Sequence, residues 1–209
     1  MPDLTIAAGL SFTAQFVTAM VMTFLLIGFY RQYTKSYVYQ WMLSWAALAV
    51  GQLAIVAEQA SFTHWNAGPL HPLRLGPAIL ASACAYVSVV WAAFGTYELV
   101  RRRPVRLRES KWILIVAGAA GALFTLPFAG SASSSAGRHM ARFGLYGLLS
   151  GVAFILIGLA IWQTRKLRAG VGSAVLSIAL IAHAAQQLRE ARAAFLALPT
   201  GFAPEIPLE

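Results

Sequence analysis

Charge is scarce in this chain. Only 11% of its 209 residues are Asp, Glu, Lys or Arg, and 59% are hydrophobic. A soluble domain of this size needs more charge to cover its surface. The composition therefore excludes an ordinary water-soluble domain and points to an integral membrane protein. Acidic residues are the rarer kind, seven against sixteen Lys and Arg. The resulting net charge of +9 is gathered into short clusters between apolar segments. That is how membrane proteins orient themselves, so the lipid bilayer is the expected partner and nucleic acid is not. Cysteine is limited to Cys84, which excludes an intrachain disulfide and a metal site built from cysteine pairs. The opening MPDLT has no basic run, and the apolar segment behind it is too long for a signal-peptide core. Walker, Rossmann, HExxH and CxxC patterns are missing, so no catalytic motif, cofactor or metal site is expected.

What the chain does contain is a series of uncharged runs closed by charged residues. They predict six helices, at about 5–30, 36–57, 75–97, 112–129, 143–164 and 169–190. About 20 apolar residues cross the hydrocarbon core as a helix. The runs do not alternate in polarity, which excludes barrel strands. The expectation is an all-α polytopic membrane helix bundle, with residues 1–209 as one transmembrane domain. With the N-terminus outside, eleven of the sixteen basic residues fall in the inner loops 31–35, 101–111 and 165–168. The positive-inside rule favours that orientation. The outer loops 61–77 and 130–140 carry turn-forming Gly, Pro and Ser.

Small residues let membrane helices approach closely. Gly144, Gly147, Gly151 and Gly158 share one face of the fifth helix, and Gly147 with Gly151 makes a GxxxG pair. Internal packing is the plainer role for this face and a homodimer seam the sharper one. A homodimer is the expected assembly. Tyr30, Tyr33, Tyr37 and Tyr39 flank the first inner loop, and Trp112 and Trp162 lie beside the other two, as interface anchors do. Trp41 and Trp45 sit deeper, where packing is the plainer role and lining a ligand cavity the alternative.

Polar residues inside spans are costly, which makes them candidates for function. On the sixth helix, His183, Gln186, Gln187 and Glu190 follow one face. Glu58 ends the second helix on the same outer side, Gln52 lies deeper, and Gln15 sits in the outer half of the first. A polar cavity opening outward between helices one, two and six is the functional expectation, with Trp45 as a further lining candidate and a small molecule as ligand. The plainer alternative is hydrogen bonding between helices. His183 has no metal-ligand partner at fixed spacing, since His64, His71 and His139 are scattered in loops. Glu98, close before Arg101 and Arg102, suggests an interfacial ion pair, with the following basic run against anionic headgroups.

The pair GLLSG (147–151) and AHAAQ (182–186) is a near-miss to the serine and histidine motifs of rhomboid proteases. The first has an extra residue and Gln186 replaces a glycine, so no enzyme activity is expected.

The stretch FYRQYTKSYVYQWMLSWAALAVGQL (29–53) places a Tyr-Arg pair, a short basic turn rich in tyrosine and a pair of tryptophans in succession. Together with FGTYELVRRRPVRLR (94–108) and IAHAAQQLRE (181–190), it resembles the multi-helix membrane input region of bacterial sensor histidine kinases and diguanylate cyclases. The resemblance covers most of the chain. It implies a sensory module of signal transduction, two-component or cyclase type, in which a seventh helix leads to a cytoplasmic output domain. The sequence ends at Glu209 before such a helix, so a seventh helix and an output domain are expected beyond it. The resemblance assigns no ligand residues. The alternatives are a small transporter or channel, against which the lack of proline deep in any span weighs, and a membrane scaffold subunit using the glycine face.

Overall fold

The computed structural model describes residues 2–65, 71–105, 107–126, 140–165 and 171–197. The fold is all-α. Among the described residues six α-helices follow one another: α1 (Pro2–Tyr33), α2 (Ser36–Trp65), α3 (Pro72–Arg101), α4 (Leu107–Thr125), α5 (Tyr146–Arg165) and α6 (Val171–Ala197). A π-helical segment, Met140–Leu145, runs directly into α5. Four helices are long and apolar enough to cross a membrane, over Gln15–Tyr33, Ser36–Ser61, Pro72–Arg101 and Tyr146–Gln163; Ser110–Thr125 is a shorter apolar helix. Helix is the natural form for such segments, because it satisfies every interior backbone group without water.

The helices overrun the expected limits at most ends. A charged residue marks where a span can leave the lipid, but it does not stop a helix. α2 continues through Glu58 to Trp65, and α6 continues through Arg189, Glu190 and Arg192 to Ala197. The α6 extension is rich in Ala, Glu and Arg, which favour helix, and the α2 extension opens with Glu58, Gln59 and Ala60. α3 starts early because His71 caps it. Its Nδ1 accepts the Leu73 amide at 3.3 Å, and Pro72 takes the first turn, where a missing N–H costs nothing. α4 starts at Leu107 rather than 112 and takes in Glu109 and Lys111. The expected fourth-helix tail 127–129, the outer connector as far as His139 and the closing segment 198–209 lie outside the described residues.

The two-residue connection between α1 and α2 forces these neighbours antiparallel. Between α1 and α2, Thr34 adopts a left-handed backbone (φ 47°) and its N–H bonds the Tyr30 carbonyl at 2.8 Å. The tyrosines around this turn pair with one another and with nearby rings: Tyr30 with Tyr39 at 5.3 Å, Phe29 with Tyr33 at 6.2 Å, and Tyr37 with Trp41 at 5.6 Å between centroids.

α3 is the hub. It makes the most extensive pairing of the bundle with α2 and packs α4 on another side; α1 lies on α2. α5 and α6 form a second pair, joined to the rest mainly through α3 and α5. Small residues set each approach. A Cβ at Gly95 of α3 would lie 2.5 Å from the Trp41 ring, and one at Gly121 of α4 would lie 2.7 Å from the Ser82 carbonyl oxygen. The core seals the junction between the two groups: Ala92 of α3, Phe154, Ile157 and Ile161 of α5, and Ala184 of α6, with Trp41 and Leu99 against them.

The glycine face of α5 is covered by α6. Cβ atoms at Gly147, Gly151 and Gly158 would meet the Gln187 carbonyl at 2.8 Å, the Leu188 side chain at 2.7 Å and Ile181 at 2.9 Å. Gly144 lies against Met140, Ala194 and Phe195. This is internal packing, and the face is not available as a seam between copies.

Candidate functional site

One group of interior polar residues meets where α3, α5 and α6 come together. Ser88, near the middle of α3, is fully buried, and its Oγ donates to the Ala85 carbonyl at 2.7 Å. Its backbone carbonyl also accepts from Ser44 Oγ of α2 at 2.8 Å. Tyr146 opens α5 and interacts through its hydroxyl with Ser88 and Ser150, with Glu190 and Tyr86 as charged and phenolic neighbours. Ser150 is fully buried. Its Oγ lies 3.3 Å from Gln187 Oε1 and 3.4 Å from the Gly147 carbonyl. The Tyr86 ring stacks on Phe124 of α4 at 6.2 Å and tilts onto Tyr146 at 5.9 Å. Its buried hydroxyl oxygen has no hydrogen-bond partner.

The local sequence explains why these groups converge. Gly147 and Gly151 bracket Ser150 and bring the α6 backbone close, so that Gln187 reaches across to it. Serine adds little bulk and can bond its own helix when no partner is near. The cluster thus fills a tight junction with hydroxyls where larger apolar side chains would not fit.

The expected site residues separate into two places. Gln187 and Glu190 belong to the interior cluster. Gln186 is exposed and donates from Nε2 to Glu190 Oε1 at 3.2 Å. His183 is exposed and sets its ring edge-on to Phe154 at 5.1 Å. It is therefore not bonded to Ser150, which uses Gln187. Gln15 and Gln52 pair with each other on α1 and α2, Gln52 Nε2 donating to Gln15 Oε1 at 3.0 Å. Gln52 Oε1 is buried and lacks a partner. Glu58 and Trp45 are half-buried on α2. The packing of α6 is chiefly on α5 and the π-helical segment. Among the described residues α6 makes no extensive pairing with α1 or α2. The polar cluster described above lies at α3, α5 and α6.

Tyr86, Ser88 and Tyr146 were not among the expected site residues. The signal was present in part: a tyrosine, Tyr86, and a serine, Ser88, in mid-span. Among the described residues no three His, Cys, Asp or Glu side chains are grouped to hold a metal ion.

Glu98 also departs from expectation. In place of an ion pair with Arg101 or Arg102, it is buried, with 5% of its surface exposed. Its Oε1 accepts from Gln40 Nε2 at 3.3 Å and from the Val105 amide at 2.9 Å. Its backbone carbonyl accepts from the N–H of Arg102, which closes α3 in a left-handed conformation (φ 54°). Arg101, Arg102 and Arg103 are all exposed.

No protein-family model, curated protein or solved structure matches this chain.

Proposed function

We propose that the chain is a membrane-embedded input module of a bacterial signalling protein, with six spans and an outer N-terminus, lying in the inner membrane. In this reading the cluster around Tyr146, Ser150 and Gln187 responds to a small polar molecule or another cue within the membrane. The response is a shift of the α5–α6 pair against α3, passed to a cytoplasmic output domain through a further helix. The observation that carries the proposal is the polar cluster at the junction of two helix groups, with the Tyr86 hydroxyl unpartnered within it. In an apolar bundle each hydrogen bond carries more energy than in water and an unpaired group is costly, so a change of partners in such a cluster biases one helix arrangement against another. The lesser packing of α3 on α5 than of α5 on α6 makes this junction the natural place for sliding.

The test is a fusion of the chain, through one added apolar helix, to a cyclase domain whose cyclic dinucleotide product is measured in cells. Tyr146→Phe and Gln187→Leu should change output several-fold at equal protein level. Val116→Ala on the exposed surface of α4 should not. Output that ignores both cluster variants sinks the reading.

A further inference from the structure

Two oxygens at one end of the bundle lack what oxygens need. Glu98 Oε2 and Gln40 Oε1 are both buried and have no hydrogen-bond partner. Glu98 is 5% exposed and Gln40 8%. They belong to one bonded unit, because Gln40 Nε2 already donates to the other carboxylate oxygen. Both orphans are acceptors, so the missing element is a donor or a positive charge. A carboxylate this deep also needs charge compensation, since burial in a low-dielectric surrounding disfavours an unpaired ion.

The chain's described basic side chains do not supply it. Arg31 at the end of α1, Lys35 ahead of α2, and Arg101, Arg102 and Arg103 after Glu98 are all exposed. Among the described residues none of them forms an ion pair with Glu98. The nearby titratable ring on α2 is Tyr37, which sets its ring against Trp41. On α3 itself Tyr97 is exposed. The site is also built rather than incidental. The Val105 amide and the Arg102 cap fold the chain back over the carboxylate. Gly95, one turn before Glu98, lets α2 approach closely enough for Gln40 to reach it.

We propose that Glu98 and Gln40 form a binding site for a small monovalent cation, a proton or an alkali ion, between α2 and α3. Either source answers the same chemistry. A proton on Glu98 Oε2 donates to an acceptor such as the Gln40 carbonyl oxygen. An alkali ion accepts electron pairs from both oxygens directly. The bound cation neutralises the carboxylate and fixes the fold of the 102–105 segment, which begins the basic loop. The site does not depend on the sensory role proposed above, and its test uses no signalling output.

The experiment is labelling by a hydrophobic carbodiimide, which modifies protonated carboxyl groups, on the purified full chain in lipid nanodiscs. Modification of Glu98 is read by mass spectrometry of the digested protein. Choline chloride holds ionic strength constant while sodium or potassium chloride replaces it. Labelling of Glu98 should be strong at low pH in choline and fall at least several-fold as pH rises. If an alkali ion is the occupant, sodium or potassium should also protect at fixed pH. If a proton alone is the occupant, the pH dependence remains and the salts have no effect. Gln40→Leu should weaken whichever dependence is found, while Glu58 in the same digest serves as a comparison carboxyl. The proposal is overturned if Glu98 stays unlabelled at every pH in choline. It is equally overturned if Glu98 labels with the same dependence on pH and salt as Glu58, as a carboxyl that holds no cation in a built site would.

Discussion

At the scale of the residue, two glycines in long helices have opposite meanings. Gly95 faces the Trp41 ring and the Tyr37 carbonyl, and a Cβ there would sit 2.5 Å and 2.9 Å from them. A methyl group in that space must move an indole that is itself packed into the core. Gly95→Ala should therefore destabilise the folded protein by about 1–3 kcal/mol, the usual range for overpacking. Gly28 has nothing within 4 Å of a built Cβ. Gly28→Ala should be neutral or stabilising, by at most about 1 kcal/mol, because alanine favours helix. Unfolding in mixed micelles with rising dodecyl sulfate compares the two directly. Equal behaviour would mean that the α2–α3 approach is looser than described. Ser177 offers a third case. Its Oγ donates to the Gly158 carbonyl at 2.6 Å from a fully buried position between α6 and α5. Ser177→Ala should cost about 0.5–2 kcal/mol in the same titration, the range found for hydrogen bonds between membrane helices.

At the scale of the element, the fifth and sixth helices behave as one unit. Gly147 and Gly151 admit the Gln187 backbone and the Leu188 side chain. Replacing both by leucine should drive α6 away from α5 and remove the partner that Ser150 now has in Gln187. The expected result is loss of folded protein, seen as aggregation on size-exclusion chromatography and rapid proteolysis. A well-folded monomer in place of a dimer would instead restore the idea of a seam between copies. The glycine spacing was legible in the sequence, and so was the choice between two roles. What resolves it is which helix lies opposite, and spacing along one helix carries no information on that. The helices themselves were legible because charge punctuates them. Their ends were not, since Glu58 and Arg189 can leave the lipid while the backbone continues to coil. The candidate site was half legible. Gln187 and Glu190 stand out as polar residues in an apolar run. Gln40 does not announce its bond to Glu98, because the two are 58 positions apart and meet only through the antiparallel packing of α2 on α3. Glu98 was misread for a related reason: arginines adjacent in sequence looked like partners, whereas the left-handed turn at Arg102 leaves them exposed.

At the scale of the whole molecule, orientation follows from charge, and the described surfaces make it testable. Lys35 and Arg103 are exposed at one end of α2 and α3, and Trp65 is exposed at the other end of α2. On the expected six-span topology eleven of the sixteen basic residues fall at the first end, so that end should face the cytoplasm. Cys84 is the sole native cysteine. Replacing it by alanine keeps the Cβ that faces Gly51 of α2, where a built Cβ would lie 3.2 Å from it. In that background, Lys35→Cys, Arg103→Cys and Trp65→Cys place single thiols at known ends. A membrane-impermeant maleimide added to intact cells, with the outer envelope made permeable, should label the thiol at position 65 and leave those at 35 and 103 untouched. Lysis should then expose all three. Labelling of position 35 or 103 in intact cells would reverse the orientation. The Gln40–Glu98 site would then face the outside, exchanging its cation with the external medium rather than with the cytoplasm. Its chemistry would be unchanged, because it depends on the pairing of α2 with α3 and not on which way the pair is inserted.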